Sequence, residues 1–335
     1  MNKFIKLKKS LFKYYEKPIN FVLSPASGYR SRCEFGYKNN CYTMIDKDKK
    51  IFFKTHTLPT SSIQIIMKPL LNLIKDNPVI EKKLFQINFR STEDNIIVTL
   101  IYHKDIDEHW LNEAKIIASS LNINVIGRSR KKVLSTGLIE LEELVNVKDK
   151  FYLYQDDKTF YQPNKYLMPE MIKFSLSILK NPKDLLELYC GSGTFTIPMS
   201  RCFDKIFATE NNRSSIAYLK KSIIKNNVSN ISYSRLSDNE LTEAFQGRLF
   251  RRMDGISLGD YNFSHVLVDP PRSGLSKNVV DILLRFENII YISCNPETFE
   301  RDIKSLKGYR INKLEVFDQF SNTPHLELIA LITKN

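Results

Sequence analysis

After residue 156 the chain alternates regularly between short apolar runs and amphipathic ones, and this pattern limits the possible folds more than any other feature. The segments in order are "KYLMPEMIKFSLSILK", "DLLELYC", "KIFATE", "RSSIAYLKKSIIKNN", "ISYSRL", "HVLVDPP", "SKNVVDILLRF" and "IIYISC". A run such as "IIYIS" lacks the polar residue at every second position that marks a half-exposed strand. Both of its faces must therefore be covered, and the helical periodicities between the runs supply the covers. The expected fold is a doubly wound, Rossmann-like α/β domain over residues 156–335, closed by the strand-like "KLEVFDQF" and "LELIALIT".

Residues 1–155 read differently. Strand-like "KLFQINFRS" and "NIIVTLIYH" alternate with helical "SSIQIIMKPLLNLIK" and "DEHWLNEAKIIASSLN", which predicts a smaller α+β domain. Residues 1–150 hold 26 Lys+Arg against 16 Asp+Glu, so most of the formal charge of +13 lies there. That asymmetry suits a polyanion-binding module. In "SPASGYRSRCEFGY", Arg30 and Arg32 sit among aromatics, as phosphate contacts with base stacking would require, although a hairpin edge accounts for them equally well.

Several classes of function are disfavoured. Five cysteines without a CxxC pair, and five histidines without HxxxH or HExxH, argue against a disulfide framework, a zinc site or an iron–sulfur cluster. No apolar run approaches the roughly 20 residues of a membrane span. No signal-peptide pattern is present either, so a cytoplasmic protein without a membrane partner is expected.

In a doubly wound sheet the ligand lies beyond the carboxyl ends of the strands, where three segments fall. In "LELYCGSGTF", Gly191 and Gly193 allow a tight turn, Thr194 can cap the next helix, and Glu210 ends the following strand, placed for ribose hydroxyls. The full GxGxxG of dinucleotide sites is absent. S-adenosylmethionine therefore fits better than NAD or FAD, and a purely structural turn remains the plain alternative. In "HVLVDPPRSGL", Asp269 is an acceptor at a strand end, two prolines stiffen the backbone, and Arg272 offers a cation. Asp-Pro-Pro suits amine methylation as well.

The third segment, "IIYISCNPETF", places Cys294 where a buried strand stops. A lone cysteine is commonly a packing residue. Methylation of C5 of a pyrimidine, however, needs a thiolate to add at C6 and make C5 nucleophilic, then a base to remove the C5 proton. Glu327 in "TPHLELIALIT" is either that base or a satisfied strand-edge carboxylate.

"ELYCGSGTF", "DPPRSGL", "YISCNPETF", "FDQF" and "HLEL" occur in this order, with "SPASGYRSRCEF", "NPVIEKKLFQI" and "FYQPN" before them. Together they resemble the bacterial tRNA (uracil-5-)-methyltransferases over nearly the whole chain. The resemblance implies a class I methyltransferase domain, S-adenosylmethionine as methyl donor, and a basic first domain that grips the T-arm of tRNA. It implies Cys294 as nucleophile and Glu327 as base. Gln162, Tyr189, Thr194, Glu210 and Asp269 would line the cofactor site, and Arg272 and Phe85 would meet RNA. The family usually has Asn where Thr194 stands, and a hydroxyl replaces only one amide hydrogen bond. Phe85 reads equally well as a core strand residue. The same chemistry on ribosomal RNA or tmRNA, an amine-directed Asp-Pro-Pro methyltransferase and a non-enzymatic RNA-binding protein are the alternatives. A monomer without metal is expected.

Overall fold

The computed structural model describes residues 2–46, 48–321 and 323–335. Helix α1 (Lys3–Leu11) is capped by the Asn2 side chain, which accepts from the Phe4 amide, and its leucines Leu7 and Leu11 are buried. Each burial contributes about 2 kcal/mol, enough to dock a short helix that would be marginal alone. Strand β1 (Asn20–Leu23) follows.

The small sheet comprises β2 (Arg32–Lys38), β3 (Cys41–Asp46), β4 (Lys49–Phe53), β5 (Leu84–Ser91), β6 (Ile96–Tyr102), β7 (Asn124–Arg128) and β8 (Val133–Ser135), in spatial order β4-β3-β2-β5-β6-β7-β8. Helices α2 (Ser61–Lys75), α3 (Pro78–Glu81) and α4 (Glu108–Leu121) lie between its strands in sequence. The apolar stripe of α2, from Ile63 to Ile74, joins Ile87, Phe89, Val98 and Trp110 in one core. Strands β9 (Glu140–Asn146) and β10 (Lys150–Asp156) then form a separate antiparallel ribbon.

The remaining elements are α5 (Leu167–Ser177), β11 (Asp184–Leu188), α6 (Thr196–Met199), β12 (Lys205–Thr209), α7 (Arg213–Lys225), β13 (Ile231–Ser234), α8 (Asp238–Phe245), β14 (Phe263–Val268), α9 (Lys277–Leu283), β15 (Asn288–Ser293), α10 (Pro296–Ser305), β16 (Tyr309–Asp318) and β17 (Glu327–Lys334). The large sheet runs β1-β16-β17-β15-β14-β11-β12-β13. Strands β11 to β15 are mutually parallel, whereas β17 is antiparallel to both β15 and β16. Leu186, Val266, Ile289 and Leu328 pack into one core and Leu185, Leu267, Ile290 and Ile329 into another, so each of these strands is covered on both faces as the apolar runs require. Strand order reverses at β11, with β12 on one side and β14 on the other, and such a switch point leaves a crevice at the carboxyl edge.

The linear division at residue 155 differs from this arrangement. Asn20 of β1 pairs with Glu315 of β16, so β1 joins the large sheet, and α1 packs against α10 beside it. The ribbon also lies on α7, where the Tyr152 amide donates to Asn226 Oδ1 at 2.9 Å. Pairing between positions so distant in sequence leaves no local trace in either partner.

Candidate active site

Two cavities open along the carboxyl edge of the large sheet. The first, about 440 Å³, is lined by Leu188, Tyr189, Glu210, Ser237, Asp238 and Ser276 among others. It forms because the chain turns sharply after β11. Gly193 has φ 98°, and a Cβ there would come within 2.7 Å of Leu219 Cδ1, so glycine is required for the close approach of turn and α7. Tyr189 holds φ 61°, a conformation that costs a bulky residue about 1–3 kcal/mol. Its hydroxyl donates to Asp238 Oδ2 at 2.7 Å. Burial, followed by the Asp238 carboxylate, pushes the phenol pKa up, so this donor stays protonated.

Glu210 accepts from the Gly191 amide at 3.1 Å through one oxygen and from the Asn212 amide at 2.7 Å through the other. The remaining lone pairs of both oxygens are free for ligand hydroxyls. Thr194 is half-buried beside the turn. Asp238, at the start of α8, was not singled out by the sequence reading. There it is one acid in the capping-box segment "SDNE", and only the fold brings it over to Tyr189.

The second cavity, about 820 Å³, is lined by Cys294, Arg272, Asn295, His325 and Leu326 on one side and by Lys3, Lys6 and Leu7 of α1 on the other. Cys294 follows the last residue of β15, and Asn295 caps α10 by accepting from the Glu297 amide. The Asp-Pro-Pro-Arg loop is fastened to this helix. Asn295 Nδ2 donates to the Arg272 carbonyl at 3.2 Å, and the Leu275 amide donates to Asp302 Oδ2 at 2.9 Å. Gly274, with φ 76°, lets the loop lie against α10, because a Cβ there would be 2.5 Å from Asp302 Oδ2. Asp302 is held in turn by the Tyr291 hydroxyl at 2.6 Å.

Glu327 is the first residue of β17, and Leu328 lies opposite Ser293 in the ladder. Because β17 runs antiparallel, its start and the end of β15 share one edge, and nucleophile and base candidates come together. Burial, chiefly, and then the Asp269 carboxylate push the Glu327 pKa well up, with Arg272 opposing. Cys294 is pushed up to about 11 by burial, then by Glu327 and Asp269, again with Arg272 opposing. Asp269, at the end of β14, is pushed up to about 7 by burial. Three acidic groups thus crowd a poorly solvated site in which Arg272 is the cation that opposes their mutual effect.

Gln162 is buried beneath the edge, where its Oε1 accepts from Gln319 Nε2 at 3.0 Å. The strap that carries it is tied to the small sheet: the Ser31 amide donates to the Pro163 carbonyl at 2.8 Å, and Arg90 donates to Gln155 and to the Thr159 carbonyl. Gln319 was legible only as part of "FDQF", with no role attached. Phe85 lies elsewhere, on β5. It is half-exposed, outside the small-sheet core, and stacked on His103 at 3.9 Å with an interplanar angle of 12°.

The family model for tRNA (Uracil-5-)-methyltransferase matches residues 1–335. A tRNA/tmRNA (uracil-C(5))-methyltransferase of Campylobacter concisus is 39% identical over 335 residues, covering 97% of this chain and 91% of the relative. A protein of the same name from a Nitratiruptor species is 40% identical over 318 residues, covering 93% and 88%. The fold is similar to that of the Pyrococcus abyssi tRNA (uracil-54, C5)-methyltransferase, solved in complex with S-adenosyl-L-homocysteine. That likeness has a TM-score of 0.77 at 21% identity, over 99% of this chain and 83% of the other. With the model matched along its full length and relatives near 40% identity covering nearly all of it, this chain belongs to the tRNA (uracil-5-)-methyltransferase family.

Proposed function

We propose that this protein transfers a methyl group from S-adenosylmethionine to C5 of a uridine in the T-loop of tRNA, at position 54, the number in the name of the Pyrococcus abyssi enzyme, and that tmRNA is a second substrate. The observation that carries this reading is the meeting of Cys294, Glu327, Asp269 and Arg272 at one sheet edge, beside the turn of Gly191 and Gly193. The residues at that turn fit the cofactor. Glu187 Oε2, Ser192 Oγ and Thr196 Oγ1 are buried polar atoms lacking partners among the described residues, and Gln319 Oε1 is another. Buried atoms of this kind normally bind something. Tyr189, Glu210 and Asp238 would hold the nucleoside end and Gln162 and Thr194 the amino-acid end, with Asp269 near the reacting centre. When bound, the cofactor supplies an electrophilic methyl group on a sulfonium.

The Cys294 thiolate adds to C6 of the uracil, and the electron pair moves onto the C5–C4–O4 enolate, which makes C5 the nucleophile. Once C5 carries the methyl group, the Glu327 carboxylate takes the C5 proton. The C5=C6 bond re-forms and the C6–S bond breaks, returning thiolate to Cys294. A carboxylate held in this poorly solvated site is a stronger base when ionised than one in water. Arg272, exposed at the mouth, offers charge to a phosphate or to O4 as negative charge builds there. We assign the small basic sheet to the T-arm, with the flat Phe85–His103 pair as a stacking surface for bases. The target uridine must leave its stack, at a cost of a few kcal/mol that such contacts offset. The protein acts as a monomer in this reading.

The test is nucleoside analysis of unmodified tRNA treated with labelled cofactor and either wild type or Cys294→Ala. Label in 5-methyluridine of the T-loop with wild type, and none with the variant, is expected. Methylation that survives in Cys294→Ala, or label on an exocyclic amine, overturns the covalent reading.

A further inference from the structure

The N-terminal helix contributes a wall to the Cys294 cavity, and one of its side chains does more than line it. Lys3 donates to Asp318 Oδ1 at 2.5 Å, to the Thr323 carbonyl at 2.8 Å and to the Phe320 carbonyl at 3.2 Å. Three acceptors match the three N–H donors of an ammonium group. Asp318 ends β16, and Phe320 and Thr323 lie in the connection from there to β17. The Lys3 and Asp318 side chains retain 16% and 9% of their exposure, so the pair is shielded from the water that makes surface ion pairs weak.

That connection serves both halves of the site. Asp318 and Phe320 flank Gln319, whose side chain donates to Gln162 and whose carbonyl accepts from Asn164 at 3.1 Å. Beyond Thr323 the chain passes His325 and Leu326, which line the cavity, and enters β17 at Glu327. Helix α1 is seated independently through Leu7 and Leu11 in the core, so Lys3 reaches out from a fixed support.

Building on the function proposed above, we infer that Lys3 is a positioning residue. From α1 it fixes Asp318, Phe320 and Thr323, and so sets Gln162 against the cofactor and the His325–Leu326 wall against the Cys294 cavity. The helix is then part of the catalytic apparatus rather than a solvated tail.

The test compares Lys3→Met, Lys3→Arg and Asp318→Asn in the full chain, with the double variant Lys3→Met/Asp318→Asn. Turnover on tRNA, cofactor Kd by calorimetry without RNA, and melting temperature are measured for each. Loss of this anchor should lower kcat by roughly tenfold to a hundredfold, as small misplacements of reacting groups do. Cofactor Kd should rise in the same variants, Lys3→Arg should retain most activity, and the double variant should be no worse than the weaker single. The inference is overturned if Lys3→Met turns over and binds cofactor like wild type. It is also overturned if the activity lost matches the fraction unfolded at the assay temperature. All are scored as ratios to wild type making 5-methyluridine. A wild type that makes none refutes the proposed function instead, and cofactor binding still reads the clamp.

Discussion

Replacing Glu327 by glutamine should divide the reaction at its middle. Glutamine keeps the shape and volume of the side chain but cannot take a proton, so thiolate addition and methyl transfer go forward while loss of the C5 proton does not. A positioned general base contributes about 10²–10⁴ in rate. Glu327 is 4% exposed, and no side chain among the described residues hydrogen-bonds it, so neither bulk water nor a relay replaces it easily. The expected fall in turnover is therefore in the upper part of that range, about 10³-fold or more. The variant should nevertheless transfer close to one methyl group per enzyme, which then stays with RNA and protein joined through Cys294. Rapid quench with labelled cofactor and a denaturing gel reads both quantities, label incorporated and RNA migrating with protein. Turnover within about tenfold of wild type would refute the assignment of the base. So would the absence of any trapped adduct in a variant that still binds cofactor and tRNA.

The Cys294 thiol, pushed up to about 11, is almost wholly protonated near neutral pH. Its reactive fraction should grow about tenfold per pH unit, so kcat/KM for tRNA should climb with a slope near one between about pH 6.5 and 9. A flat profile at constant ionic strength would mean that thiol ionisation does not control attack. Away from the site, Glu143 is buried, accepts from Gln155 at 2.7 Å and is pushed up to about 7, mainly by burial. A carboxyl whose folded pKa is raised binds its proton more tightly in the native state. Its cost is thus absent below the ordinary pKa of 4.5, grows as pH rises towards about 7, and is constant above. Glu143→Gln should match wild type near pH 4 and exceed it at pH 8 by up to about 3 kcal/mol in denaturant unfolding. Equal stability at both pH values would show that the site solvates this carboxylate after all.

The large sheet was legible because parallel strands covered on both faces must be apolar throughout, a signal confined to each strand. The nucleophile was legible for a related reason: Cys294 directly ends such a run, so its place at the ligand-bearing edge follows from the fold class. Asp238 was hidden because an acid in the first turn of a helix has an ordinary explanation as a favourable charge near the helix N-terminus. Gln319 and Lys3 were hidden because their partners, Gln162 and Asp318, are far away in sequence and no periodicity encodes contacts of that kind. The role of β1 escaped for the same reason. Phe85 was ambiguous on its strand, and the His103 ring stacked on it comes from just beyond β6.

The antiparallel course of β17 also governs which changes of length the protein tolerates. The separation of Cys294 and Glu327 is counted in rungs of backbone hydrogen bonds, since Ser293 faces Leu328 and each thereby fixes its neighbour. One residue inserted within β17 would turn the carboxylate to the opposite face of the sheet and leave the thiol without it. One residue inserted near Pro324, outside the ladder, would lengthen the connection and leave the spacing of the two groups unchanged. Evolutionary length variation in this part of the chain is therefore expected to stop at the strand.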